Sequence, residues 1–238
     1  MIDLVQQYWQ QYLWGRPGHP TGLVITLWLT VASLVLGFIL ALPFAILRVS
    51  KIRWLSIPVR IYSYVFRGTP LYVQLLLIYT GIYSLDAVRG TPVLNEFFRD
   101  AMNCTILAFT LNTGAYTAEI FAGAIKATTY GEIEAGRACG MSNYALYRHI
   151  ILPSALRRAL PAYSNEVILM LHATTLAATA TVPDILKVAR NASSDYYLPF
   201  VAYGIAAILY LIISFVLIWL FRRAEHRWLA YLRPVGVN

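Results

Sequence analysis

Apolar residues fall in long uninterrupted runs along this chain, not at strand or surface-helix spacing. A helix needs about 20 apolar residues to cross a bilayer, and five stretches meet that length. Residues 22–47 and 196–221 carry no charge. Residues 61–83 contain only Arg67, 101–125 only Glu119, and 159–183 Glu166 and His172. The pattern predicts an all-α polytopic membrane protein, a single domain over residues 1–238 with five spans. Pro43, Pro70 and Pro161 lie in or at the ends of spans, where membranes tolerate breaks that neighbours can re-satisfy or that line a cavity. There is no internal repeat to suggest an inverted-repeat transporter within one polypeptide. Five helices make a thin wall for a pathway, so a dimer is the expected minimum.

Composition agrees: 13% of residues are charged, against about 25% in a soluble domain. The net charge of +8 invites a nucleic-acid reading, but the cations sit between apolar runs, which excludes a basic binding face. Their distribution sets an orientation. Arg16, Arg89, Arg99, Lys187 and Arg190 fall on one side. Arg48, Lys51, Arg53, Arg60, Lys126, Arg137, Arg148, Arg157, Arg158, Arg222, Arg223, Arg227 and Arg233 fall on the other. The richer side is expected to be cytoplasmic, which puts the N-terminus outside and the C-terminus inside. The acids Asp3, Asp86, Glu96, Asp100, Asp184 and Asp195 then lie mostly outside. No basic region precedes a short apolar run and a small-residue cleavage site, so the first span is expected to act as an uncleaved insertion signal. Cys104 and Cys139 fall in a span and a loop, which predicts neither a disulfide nor a metal site. The tryptophans, among them Trp9, Trp14, Trp54, Trp219 and Trp228, read as interfacial anchors.

The loop 126–158 is the longest expected on the cytoplasmic side. It reads E-A-G-R-A-C-G from Glu134 to Gly140, then nine residues, then I-I-L-P ending at Pro153. Glu132 and Glu134 suit the start of a short helix, and Gly140 suits its stop. Ser142 caps a second helix expected to run to Leu152 and to break at Pro153. Ala135, Gly136, Ala138 and Cys139 give the first helix a small face that another protein can approach closely.

That spacing resembles the conserved cytoplasmic loop of ABC importer permeases, with Gly136 where alanine is usual. F-R-G-T-P-L-Y-V-Q (66–74), L-N-T-G-A-Y-T-A-E-I (111–120) and L-P-A-Y-S-N-E-V (160–167) resemble the polar amino-acid uptake branch of that family. Ala122 and His172 depart from it, where arginine and lysine are common. The resemblance implies a type I importer permease in a bacterial inner membrane, carrying histidine, lysine, arginine and ornithine inward by alternating access. It implies a sister permease in a heterodimer, two copies of a cytoplasmic ATPase that consume ATP with Mg, and a periplasmic amino-acid-binding protein. It implies no catalytic residue and no cofactor bound by this chain. The absence of G-x-x-x-x-G-K-[ST] agrees, since none of Lys51, Lys126 and Lys187 follows a glycine. Glu134, Ala135, Gly136, Gly140, Leu152 and Pro153 are the implied ATPase-coupling residues.

Ionisable groups inside a span are costly and usually functional. The expected site centres on Glu166, which would attract the cationic side chain of the cargo. Asn165, Thr69 and Gln74 would supply hydrogen bonds. Arg67 and the broken backbone at Gly68, Thr69 and Pro70 would take the α-carboxylate. Glu119 and His172 are further candidates. The competing structural reading pairs Glu119 or Glu166 with Arg67 or a coupling-loop arginine, and gives His172 a local hydrogen bond. Two other functions stay open at this point. One is an importer of the same type for another polar amino acid or an opine. The other is an ion-coupled carrier or channel subunit.

Overall fold

The computed structural model describes residues 2–229, and Arg233 lies outside them. The described chain is helical apart from connecting turns and two isolated bridges, Arg16 with His19 and Gly22 with Asp184. In order the helices are α1 (Ile2–Leu13), α2 (Leu23–Val49), α3 (Arg53–Gly68), α4 (Leu71–Leu76), α5 (Asp86–Arg89) and α6 (Pro92–Arg99). They continue with α7 (Ala101–Lys126), α8 (Tyr130–Ala138), α9 (Asn143–Leu146), α10 (Leu152–Ala173), α11 (Ile185–Tyr196) and α12 (Pro199–Trp228).

The spine of the fold is α2 against α7. Their crossing is close because Gly37 offers no side chain: a methyl there would stand 2.5 Å from Thr113 Cγ2 and 3.3 Å from the Gly114 nitrogen. α10 packs beside them. At one end Leu29, Leu75, Phe109 and Met170 form a core. At the other, Ala45, Phe121, Ile151 and Ala159 form a second. The interiors are rich in alanine, glycine and threonine, as expected where helices pack without a hydrophobic drive between them.

Among the described residues two helices, α2 and α12, are long and apolar enough to cross a membrane. α12 buries only Ala202 and Ala206 and turns Phe200, Phe215 and Trp219 outward. An apolar helix exposed on most sides suits lipid, not water. α7 covers the expected third span almost residue for residue. The expected second span is divided. α3 ends at Gly68, and beyond Pro70 the chain restarts as α4, a π turn (Leu77–Gly81) and a short 3-10 turn. The fourth ends as a 3-10 helix (Thr174–Ala180) closed by Thr181 at a left-handed φ of 66°.

Pro153 corrects one expectation, for it does not break the second helix of the loop. The chain passes from α9 through a π turn (Tyr147–Ile151) into α10 without leaving helical geometry. Proline sits in the first turn of α10, where its missing N–H and fixed φ are tolerated.

α1 has no counterpart among the expected elements. Its Leu4, Tyr8 and Tyr12 recur every four residues and are buried against α11 and α12. The Tyr12 hydroxyl donates to the Ala202 carbonyl at 2.9 Å.

Candidate functional site

The break between α3 and α4 follows from Pro70, which has no N–H to continue the ladder and disfavours helical geometry at the residue before it. The carbonyls freed there need partners. Gln74 Nε2 donates to the Phe66 carbonyl (2.8 Å), the Thr69 carbonyl (3.0 Å) and the Thr69 hydroxyl (2.7 Å). Asn112 Nδ2, on α7, donates to the Phe66 carbonyl at 3.0 Å and to Gln74 Oε1 at 3.1 Å. Gln74 and Asn112 are buried. Thr69 and Gln74, expected as cargo contacts, therefore bind the broken backbone in this conformation.

One residue on from Asn112, Thr113 reaches α10. Its hydroxyl donates to Glu166 Oε1 at 2.9 Å. Glu166 is 6% exposed and forms no ion pair among the described residues. It shares a packed stripe with Met170, Ala177 and Ala180, so the small-residue face is a helix contact with one carboxylate set into it. Asn165 is exposed and faces away. His172 lies farther along α10, its Nε2 3.1 Å from Ser214 Oγ of α12. Neither joins the group around the break.

Arg67 and Glu119 lie in a cleft of about 620 Å³ that Arg48, Arg60, Ser63 and Tyr64 also line. Arg48 Nε donates to Glu119 Oε1 at 2.6 Å, so Glu119 pairs with an arginine at the end of α2, not with Arg67 or the loop. The Arg67 guanidinium lies 5.1 Å from the Tyr116 ring centre. Arg48 and Thr113 escaped the sequence reading. Arg48 was counted only as an orienting charge. Thr113 gives no signal beyond its place beside Asn112.

The loop 126–158 has the expected helix–turn–helix form, with Gly136 turned inward. The Met141 N–H bonds the Gly136 carbonyl (3.1 Å) and the Gly140 N–H the Arg137 carbonyl (2.9 Å), with Gly140 at φ 75°. This double closure is the Schellman stop that glycine permits. Ser142 Oγ then accepts from the Ala145 N–H at 3.3 Å. Glu134, Ala135 and Ala138 are exposed, but Gly136 is buried. A methyl at Gly136 would stand 2.5 Å from Leu146 Cδ1 and 2.8 Å from Ile150 Cδ1. Gly136 thus holds the two loop helices together, while Ala135 and Ala138 offer the free surface. Arg158, on α10, anchors the loop: it donates to Ser154 Oγ and Thr128 Oγ1, both at 2.8 Å, and lies 3.7 Å from Glu132. Leu152 and Pro153 are half-buried in the helix that follows.

A broken apolar helix beside a buried carboxylate, with a helical loop at one end of the bundle, suits a membrane permease. Residues 33–229 match the family described as the binding-protein-dependent transport system inner membrane component, and the chain belongs to that family. It is 60% identical over 238 residues, the whole of both chains, to the histidine/lysine/arginine/ornithine transport system permease protein HisM of Escherichia coli (strain K12). It is 43% identical over 205 residues, 86% of this chain and 83% of the other, to the octopine transport system permease protein OccM of Rhizobium radiobacter. A crystal structure of an amino acid ABC transporter with histidines superposes with a TM-score of 0.76 at 32% identity, covering 87% of this chain and 92% of that one.

Proposed function

We propose that this chain is one permease subunit of an ATP-driven importer that carries basic amino acids into the cytoplasm. The observation that carries the cargo assignment is Glu166, a buried carboxylate that forms no salt bridge among the described residues, although the charge of Arg67 reaches it. Thr113 takes one of its oxygens. A carboxylate so placed is costly unless a cation meets it, and the side chain of arginine, lysine, ornithine or protonated histidine supplies one. The full-length likeness to a permease of that name supports the same class.

Five spans, with the N-terminus outside and the coupling loop inside, accord with the distribution of arginine and lysine. A sister permease completes the pathway. Two copies of a cytoplasmic ATPase consume ATP with Mg, one docking at the exposed face of α8 and the other on the sister permease. A periplasmic binding protein delivers cargo. ATP closure of the ATPases moves α8 and α9, and α10 carries that motion to Glu166, so the path opens outward and then resets. The subunit performs no chemistry of its own.

The test is uptake of labelled arginine by proteoliposomes of the purified importer carrying Glu166→Gln. Glutamine keeps the acceptor for Thr113 but removes the charge, so arginine uptake should fall at least tenfold while the complex stays assembled. Unchanged uptake and affinity would remove Glu166 from the cargo path. The octopine relative favours one other reading, an opine as cargo, and competition by octopine but not lysine would select it.

A further inference from the structure

On the side turned toward α2, α3 helps to form a second cleft of about 470 Å³ that is almost wholly apolar. Leu40 and Leu47 of α2, Trp54, Pro58 and Phe66 of α3, and Leu111 of α7 line it. Apart from the Trp54 indole at one end, Tyr62 is the only lining side chain with a polar atom, and its hydroxyl is engaged by the Leu111 carbonyl at 2.6 Å. Phe44 meets the Tyr62 ring edge-on, with centres 5.0 Å apart.

The dimensions of the cleft select its occupant. From Trp54 to Phe66 the helix rises about 18 Å, close to the roughly 15 Å of one leaflet's hydrocarbon. Over that length the volume gives a cross-section of roughly 25 Å², whereas a helix 10 Å across needs roughly 80 Å². The groove has the width of one extended acyl chain. At the end where α2 turns into α3, Lys51 and Arg53 are exposed and pair with no carboxylate among the described residues. Trp54 beside them is 89% exposed, as aromatic residues at the headgroup level are. We infer that the cleft holds one acyl chain of an anionic phospholipid, with its phosphate on Lys51 and Arg53. The permease reading enters only in naming that leaflet the cytoplasmic one, where anionic headgroups attract such cations.

The test uses the purified importer in phosphatidylcholine proteoliposomes and reads Trp54 fluorescence as the difference from a Trp54→Phe variant. Brominated phosphatidylglycerol, or equally brominated phosphatidylcholine, is added as quencher, with bromines near the glycerol end of the chain. Phosphatidylglycerol should quench at a roughly 25-fold lower mole fraction, about fivefold for each of the two cations. Lys51→Gln with Arg53→Gln should move its curve toward that of phosphatidylcholine by about fivefold per cation, and high salt should do the same. Pro58→Phe, which fills the cleft, should weaken quenching by both lipids. Equal quenching by the two lipids, unmoved by the double variant, would mean bulk lipid alone and overturn the headgroup site. No quenching by either would mean that protein covers the cleft, and would overturn the proposal entirely. Arginine uptake in the same vesicles reports separately on the importer reading, so either can fail without the other.

Discussion

Replacing Gln74 by leucine separates two roles for this residue, a clasp on broken backbone and a contact for cargo. The glutamine amide serves three acceptors at the break and accepts from Asn112. Leucine leaves the Phe66 carbonyl to Asn112 alone and the Thr69 carbonyl without its side-chain donor. A neutral hydrogen bond contributes about 1 kcal/mol net, and a buried group left unpaired costs about 1–3 kcal/mol. The sum is about 2–4 kcal/mol, of which the more apolar leucine offsets about 1 kcal/mol. Gln74→Glu should cost more, because a carboxylate turns acceptors toward two carbonyls. The buried Cys104 gives the assay: in a Cys139→Ser background its alkylation by a thiol dye on heating marks loss of the core. Both variants should lower the midpoint, glutamate further, and the arginine KM of the leucine variant should change less than threefold below that midpoint. An unchanged midpoint with a KM raised tenfold or more would refute the clasp and give Gln74 back to the cargo.

Other variants probe the remaining parts. Arg48→Gln and Glu119→Gln, alone and together, should show a coupling of about 1–2 kcal/mol in the same thermal assay, since the two side chains are mostly shielded; additive effects would mean the pair contributes nothing. Gly136→Val should force Leu146 and Ile150 aside at a cost of about 1–3 kcal/mol, and should cut arginine uptake at least tenfold while the ATPase still turns over. Ala135→Trp should lose uptake by a different route, weakening co-purification of the ATPase without destabilising the permease; normal uptake would count against docking on that face. Arg158→Ala should leave the ATPase bound but lower the ratio of arginine imported to ATP hydrolysed, and an unchanged ratio would exclude Arg158 as the link between loop and span.

The parts of this protein that were legible in its sequence are those written locally. The uncharged runs of α2 and α12, the extent of α7, and the Gly140 stop followed by the Ser142 cap depend on residues within a turn or two of one another. The break at Pro70 was legible as a place, but its chemistry was not. Which groups satisfy Phe66 and Thr69 depends on Asn112 arriving from a helix more than forty positions away. The same limit hid the partners of the two carboxylates, because Thr113 and Arg48 come to Glu166 and Glu119 only through the α2–α7–α10 crossing. Gly136 looked like a small residue on an open face, and its inward direction became visible only with Leu146 and Ile150 against it. Pro153 was misread because the rule that proline ends a helix has an exception in the first turn, and the π turn before it cannot be read from composition.

The unbroken passage from α9 through the π turn into α10 has a mechanical meaning. A hinge at Pro153 would have let the loop move while the membrane segment stood still, and energy delivered at the ATPase would be lost in bending. Instead one run of helical geometry, with Pro161 inside it, leads from Asn143 to Glu166, about 35 Å at the rise of a helix. If its loop end is the fulcrum, a tilt of about 10° sweeps the carboxylate through roughly 6 Å, about the spacing of one helical turn. The helical path past Pro153 thus sets the length of the lever between the loop and Glu166.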